Sequence, residues 1–419
     1  MNVLIVGGGG REHALAKAIS TSIKCTRLYA APGNPGISKF ATCIELSSEN
    51  NEAIIQECKR FNIELVVIGP EVPLVAGLAD ALRASNILTF GPSAAAAELE
   101  GSKYFARDFC KRYDIPQPNF SRFTDNQKAK KYVDEMGSEC VVKADGLAAG
   151  KGVVVCKTKK QAFDTIDMML SGGFGAASDT IIVEECICGA ELSAFALIDS
   201  EEVIWLASAR DHKRAFNGDE GPNTGGMGAV SPSPDETNKL REHIIEKILN
   251  PVAKGMVLDG KPYTGILYAG LMLTDAGPKV IEFNCRFGDP EAQVILPRLE
   301  SDLLDLILLH CNQAQKDAVI KFSNDVAITV VMANKGYPGS YEPNSIIKDI
   351  DLVSLNTDCF IYHSGTAMNQ KGEIIAKGGR VLSITAKAKS YQKARLEAYE
   401  TVSKINWENG FYRTDIADF

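Results

Sequence analysis

The chain has 419 residues, 45% of them apolar and 23% charged, and a net charge of −8. That length suits about three separately cored domains, and the composition excludes a disordered or fibrous chain. The acidic balance argues against a nucleic-acid partner, because no basic surface is left to displace counterions from a phosphate backbone.

Lys128, Lys130 and Lys131 cluster as a solvated helix face would. No apolar run reaches bilayer length, and the start Met1-Asn2-Val3-Leu4 lacks a basic leader. A cytoplasmic, unexported protein with no membrane partner is expected. Its 11 cysteines are scattered, with only Cys186 and Cys188 close together, and read as reduced thiols rather than a disulfide framework.

In chain order, a β-branched strand at Val3 to Val6 is followed by four glycines and a helix beginning near Arg11. Short apolar strands recur at Leu28 to Ala30, Leu65 to Ile68 and Leu88 to Phe90, alternating with helical patterns at Asn51 to Phe61 and Leu74 to Ala84. This alternation predicts βαβ units and a parallel, doubly wound sheet over residues 1–101. A helix from Lys103 to Lys111 leads into Ile115-Pro116-Gln117-Pro118, which stops helix and suggests a linker.

A small α+β unit is expected over 121–188, with helices at Gln127 to Met136 and Gln161 to Leu170 and strands at Cys140 to Ala144, Val153 to Cys156 and Thr180 to Glu184. It is set within a larger piece, 102–120 and 189–320. That piece has strands at Glu191 to Ile198, Val203 to Ala207, Gly265 to Thr274 and Lys279 to Asn284, and a helix from Asp235 to Val257. Residues 321–419 read as a smaller α+β domain that closes with a helix from Tyr391 to Lys404.

Four segments carry chemistry. In Gly7-Gly8-Gly9-Gly10-Arg11-Glu12-His13, a glycine turn opens a helix and can bring backbone N–H groups to an anion. The third glycine of a dinucleotide fingerprint is replaced by Glu12 or His13, and no acid ends the second strand, so a nicotinamide-dependent oxidoreductase is disfavoured. The loop Lys143-Ala144-Asp145-Gly146-Leu147-Ala148-Ala149-Gly150-Lys151-Gly152-Val153 is not a Walker loop, but it can close over a triphosphate with backbone donors and two lysines. An incidental hairpin would look similar.

Further on, Val183-Glu184-Glu185-Cys186-Ile187 offers an extended edge to adenine, and Glu191 a carboxylate to ribose, although surface glutamates flanking a strand would look the same. In Lys279-Val280-Ile281-Glu282-Phe283-Asn284-Cys285-Arg286, strand alternation puts Glu282, Asn284 and Arg286 on one face, with Ile281 and Phe283 toward the core. The two oxygen donors suit Mg²⁺ completed by phosphates and water; Arg286 beside them suits an acyl phosphate or oxyanion. Gly288-Asp289-Pro290-Glu291 then opens a helix. Asp211-His212-Lys213-Arg214 and the polar glycine loop Gly221 to Gly228 suit a small zwitterion or phosphate, while His212 has no neighbour at metal-ligand spacing.

Taken together, Gly9 to Leu15, Ala31-Pro32-Gly33-Asn34, Gly69-Pro70-Glu71, Leu99 to Lys103, the Lys143 to Val153 loop, Asp211 to Arg214, Gly221 to Ala229 and Arg286 to Glu291 resemble the phosphoribosylamine–glycine ligases of the ATP-grasp superfamily. Gly336-Tyr337-Pro338-Gly339, Gly378-Gly379-Arg380-Val381 and Tyr412 to Ile416 extend the resemblance to the end. It implies a ligase in purine biosynthesis that uses ATP with Mg²⁺ or Mn²⁺ to join glycine to 5-phosphoribosylamine; a stand-alone, monomeric enzyme is expected. Another ATP-grasp carboxylate–amine ligase is the nearest rival.

By resemblance, Lys103, Lys143, Gly146, Gly150, Lys151 and Gly152 hold ATP phosphates, with Lys143, Lys151 and Arg286 catalytic. Glu184, Glu185 and Ile187 lie near adenine, Glu191 on ribose, and Glu282 and Asn284 on the metal. Gly9, Gly10, Arg11, Gly33, Asn34, Glu71, Asp211, Lys213, Gly225, Gly226, Arg286 and Asp289 line the substrate side. Two departures stand out: no acid lies within Thr264 to Thr274, where many ATP-grasp enzymes carry a second metal-binding glutamate, and Cys186 and Cys188 occupy a hinge that is usually apolar or acidic.

Overall fold

A computed structural model describes residues 1–137, 139–148, 152–314, 319–350 and 358–419. The expected phosphate-loop residues Gly150 and Lys151 lie outside the described residues. The chain forms two compact units, Met1–Gly91 with Leu206–Glu236 and Arg286–Phe419, and Pro92–Trp205 with Thr237–Cys285.

The first unit holds a five-stranded sheet in the order Thr42–Cys43, Arg27–Pro32, Asn2–Gly7, Leu65–Ile68, Leu88–Phe90. Every pairing is parallel, as the alternation of strands and helices requires. The central strand runs Val3, Leu4, Ile5, Val6 with no exposure, because helices cover both faces of such a sheet. Each such side chain contributes about 1.5–3 kcal/mol by leaving water.

One expected helix is two. Gly77 adopts φ +82°, so Leu74 to Ala84 divides into Glu71–Val75 and Leu78–Ala84; a left-handed residue cannot continue a right-handed helix. The break makes Glu71 the first residue of its own short helix.

The same unit contains an antiparallel run of Gly228–Ser231, Val326–Asn334, Arg380–Ala388 and Cys359–His363. Helix Tyr391–Val402 closes a core with Val330, Ile384, Ala398 and Trp407. The glycine-rich stretch expected to be loop is partly strand: Arg214–Phe216 pairs with Glu220–Asn223, and Gly228 opens a strand of its own.

In the second unit, a four-stranded antiparallel sheet runs Phe120–Phe123, Ile181–Glu185, Cys140–Ala144, Val153–Cys156. Ala129 and Val133 of helix Asn126–Met136 and Ala162, Ile166 and Met169 of helix Lys159–Leu170 complete its core. A second sheet pairs Ala190–Asp199 with Thr264–Thr274 and the latter with Gly277–Asn284, all antiparallel. The expected helix from Asp235 begins later, at Asn238, because Thr237 caps it by accepting Leu240 N at 3.1 Å, and helical backbone continues to Leu258.

Candidate active site

In the second unit, strands Cys140–Ala144, Ile181–Glu185 and Gly277–Asn284 are joined by buried charge. Lys143 closes strand Cys140–Ala144, where its Nζ lies 2.8 Å from Glu184 Oε2 and donates to Ile281 O at 3.0 Å. Arg107 completes the cluster: Nε to Glu184 Oε1 at 2.5 Å, Nη2 to Glu184 Oε2 at 3.1 Å and to Ile281 O at 2.7 Å, Nη1 to Val280 O at 2.9 Å. Burial alone would raise the Glu184 carboxyl, but Arg107 and Lys143 outweigh it and hold it at about 2. Burial also lowers Lys143, to about 8, with Glu184 opposing and Arg107 adding to the fall. Among the described residues, two of the three ammonium hydrogens thus serve the protein and one remains for an anion.

A β-bulge turns Ile281 O toward these cations. Glu282 pairs with Gly270 but Val280 with Leu271, so the register shifts across Ile281. The expected strict alternation is therefore corrected: Phe283 is buried, whereas Ile281 is half-buried, its carbonyl freed from the ladder. Glu282 and Asn284 are half-buried as well. A Cβ on Gly270 would lie 2.9 Å from Glu282 Cγ, so that glycine makes room for the carboxylate. Among the described residues no group of three or more His, Cys, Asp or Glu could hold a metal. Glu282 and Asn284 instead offer one carboxylate and one amide oxygen, a hard donor pair that fits Mg²⁺ or Mn²⁺ when phosphate and water supply the rest.

Around the loop, Lys103 Nζ donates to Gly146 O at 2.9 Å. Burial lowers Lys103, with Glu282 and Asp145 pulling it back. Asp145 Oδ1 accepts Ser102 Oγ at 3.0 Å and Tyr104 N at 2.7 Å, fastening the loop to the start of helix Lys103–Arg112. A Cβ on Gly152 would sit 2.6 Å from that of Ala148. Along the hinge, Glu185 pairs with Lys279 at 3.0 Å and with Asn119 at 3.0 Å, Ile187 is half-buried, and Cys188 is exposed. Glu191 stands half-buried on strand Ala190–Asp199. Glu184 is thus a counter-ion to Lys143, facing away from the hinge edge that Glu185 and Ile187 present.

In the first unit, two guanidinium groups share their acceptors. Arg286 Nε lies 3.2 Å from Glu71 Oε2, and Arg11 Nη1 lies 3.9 Å from the same oxygen. Phe287 O accepts from Nη1 of each at 3.2 Å. Burial would raise Glu71, yet Arg286 and Arg11 bring it to about 2. Glu12 accepts Gly9 N and Arg11 Nε, both at 2.6 Å.

Asp289 binds the same helix start through Arg11 N at 3.3 Å and accepts Gln293 Nε2 at 2.8 Å. Burial would raise its carboxyl, and Arg380 and Arg11 more than reverse that. Gly10 is tightly enclosed, since a Cβ there would meet Gln293 Nε2 at 2.4 Å.

Arg380 joins two of the expected substrate segments. Its Nη1 donates to Gly225 O at 2.5 Å and Asp289 O at 2.6 Å, and its Nη2 lies 3.4 Å from Asp289 Oδ1. Tyr337 Oη accepts Gly225 N at 3.0 Å, and Gly226 holds φ +108°. Asp211 and Lys213 are half-buried at the end of strand Glu202–Asp211 and just beyond it. Burial takes His212 down to about 4, with Arg413 adding to the fall, so it is neutral at pH 7.

Gly33, at φ +71°, leaves room for Cys43 Sγ. Asn34 is consumed internally: its Nδ2 donates to Gly8 O at 2.9 Å and His363 O at 2.8 Å, and its Oδ1 accepts Gly36 N and Ile37 N. Its side chain braces the turn.

Sequence reasoning missed Arg107, Glu12 and Arg380 as functional supports. Arg107 had a readable signal, a charge on a helix stripe with Ala106, Phe109 and Cys110, all buried. Glu12 had one as well, a glutamate three residues after Gly9 at the start of a helix, whereas Arg380 had none, because its partners are carbonyls and a carboxylate far along the chain.

Models of the phosphoribosylglycinamide synthetase family match the chain in three parts: the N domain over residues 1–100, the ATP-grasp (A) domain over 101–292 and the C domain over 327–419. The chain is 50% identical over 416 residues to the phosphoribosylamine–glycine ligase of Rhizobium meliloti (strain 1021), spanning 99% of this chain and 98% of that one. It is 49% identical over 413 residues to the chloroplastic phosphoribosylamine–glycine ligase of Arabidopsis thaliana, spanning 97% and 78%.

Among solved structures, the phosphoribosylamine–glycine ligase of Thermotoga maritima superposes with a TM-score of 0.87 at 30% identity, over 99% of this chain and 100% of that one. The biotin carboxylase of Campylobacter jejuni reaches 0.75 at 16% identity, over 98% and 92%, a likeness of fold alone.

Proposed function

The chain belongs to the phosphoribosylglycinamide synthetase family, and from that premise we propose that it joins glycine to 5-phosphoribosylamine at the expense of ATP, giving glycinamide ribonucleotide, ADP and phosphate. The observation that carries this reading is near-half identity over essentially the whole chain to ligases of that name. Cytoplasmic work and a monomeric state complete the proposal; among the described residues no helix is long and apolar enough to cross a membrane.

The chemistry has two displacements. A glycine carboxylate oxygen attacks the γ-phosphorus of ATP, the bond to the β-phosphate oxygen breaks, and ADP leaves. The amine of phosphoribosylamine then attacks the carbonyl carbon of glycyl phosphate, phosphate departs with the bonding pair, and the nitrogen loses a proton. A carboxylate becomes an acyl donor only once its oxygen is a phosphate leaving group, so the protein's task is positioning and charge compensation.

Lys143, fixed by Glu184 and Ile281 O, and Lys103 face the phosphates, with Gly146, Gly150, Lys151 and Gly152 as the closing loop. Glu185 and Ile187 take adenine, and Glu191 takes ribose. Glu282 and Asn284 hold a Mg²⁺ or Mn²⁺ ion. When bound, that ion supplies positive charge against the phosphoryl oxygens.

Arg286 stabilises the acyl phosphate and the oxyanion formed from it. Gly9, Gly10, Arg11, Gly33, Glu71, Asp211, Lys213, Gly225, Gly226 and Asp289 form the amine side, with Asn34 as its brace.

A phosphate-release assay across a panel of amino acids and amines tests the reading. Release is expected only with glycine and phosphoribosylamine together; equal turnover with another amino acid or amine would replace it with a different ATP-grasp ligase.

A further inference from the structure

The Glu12 side chain packs against three glycines. A Cβ placed on Gly7 would lie 2.6 Å from its Cγ, one on Gly9 2.9 Å from Oε2, and one on Gly69 2.1 Å from Oε1. A real Cβ does not come within 3.0 Å of another atom, so a side chain on any of these glycines, which come from two separate segments, would displace the Glu12 carboxylate from where it lies. There the carboxylate spends each oxygen on a different donor, Oε2 on Gly9 N and Oε1 on Arg11 Nε.

A guanidinium is a rigid plane, so fixing Nε by Glu12 and Nη1 by Phe287 O fixes its orientation. Arg11 then shares both Phe287 O and the Glu71 carboxylate with Arg286. Two like charges competing for the same two acceptors are mutually constraining. An Arg11 released from Glu12 can close on Glu71 from its present 3.9 Å and draw that carboxylate off Arg286, now 3.2 Å away.

We propose that Glu12 is a positioning residue for the ligase reaction: it immobilises Arg11 and, through the acceptors Arg11 shares with Arg286, sets where the Arg286 guanidinium points. This rests on the role given to Arg286 above. Glu12 touches no reacting atom; its effect is transmitted through two arginines.

Glu12→Gln keeps the shape but places an NH₂ where one of two donors needs an acceptor. Steady-state kinetics on Glu12→Gln, Arg286→Lys and the double variant, with ATP binding by calorimetry and folding by circular dichroism, form a double-mutant cycle. Glu12→Gln should lose about 100-fold in kcat, the scale of a misplaced catalytic group, with ATP affinity unchanged, and should cost almost nothing further once Arg286→Lys is present.

Losses that multiply in the double variant would overturn the proposal, as would a folded Glu12→Gln with full kcat. Should Glu12→Gln not fold, Arg11→Lys replaces it in the cycle, keeping the charge but not the plane, and the same coupling is expected. Full activity in Arg286→Lys would instead remove the role of Arg286 itself, and this inference with it; impaired Arg286→Lys with independent losses removes the inference alone.

Discussion

The Lys143 ammonium lies 2.8 Å from the Glu184 carboxylate with both side chains almost fully buried, and Arg107 grips the same carboxylate from the other side. Three charges withdrawn from water in this way are tolerated because each answers another and further donors of Lys143 and Arg107 meet the carbonyls of Ile281 and Val280. Removing one leaves the others uncompensated.

Glu184→Gln is therefore expected to cost about 3 kcal/mol of stability, read as a lower urea midpoint at neutral pH. Its pH dependence has a definite sign. Glu184 is held at about 2 in the folded protein, below the ordinary carboxylate value of about 4.3, so its contribution is present above the unfolded value and is lost as the pH falls toward the folded one. The gap between the midpoints of the parent and Glu184→Gln should narrow in acid; a constant gap would deny the carboxylate its charged role.

Nucleotide affinity should fall on the alkaline side. Burial sets Lys143 at about 8 in the free protein, and only the protonated amine attracts phosphate, so charge is lost as the pH rises through that value. A bound triphosphate favours the charged form and moves the limb upward. Calorimetric titration with ATP across neutral to alkaline pH checks this, and a flat profile would exclude Lys143 from the phosphates.

Glu282→Ala should remain folded and lose turnover by roughly 100-fold or more. Gly270→Ala should do so in part, since its Cβ would press within 2.9 Å of Glu282 Cγ. Assaying both variants over a range of Mg²⁺ and Mn²⁺ concentrations checks the cause. Partial recovery of Gly270→Ala at high metal is the expected mark of a displaced ligand, while full activity in Glu282→Ala would remove the metal role.

Arg380→Met should raise KM for glycine or phosphoribosylamine by about 10-fold, the worth of one or two charge-assisted hydrogen bonds, without changing ATP affinity. The arginine fixes the carbonyls of Gly225 and Asp289. Michaelis constants measured for each substrate separately would show the selectivity, and an equal loss for all three would mark a general loss of fold.

What the sequence alone determined was local. Buried β-branched strands alternating with helices gave the parallel sheet. Residue type and spacing put Glu282, Asn284 and Arg286 forward as candidates, and the match of successive motifs named the family. These follow from periodicity and short motifs, which involve neighbours a few residues apart.

The tertiary structure decided which charge answers which. The pairing of Lys143 with Glu184, the approach of Gly69 to Glu12 and the reach of Arg380 to Gly225 depend on segments tens to more than a hundred residues apart, and the bulge at Ile281 on how one hairpin aligns. Glu184 and Asn34, both expected at ligands, are spent on internal partners. Such pairings have no periodic signature, because the energy of a buried polar group is set by whatever the fold brings to it once water has left.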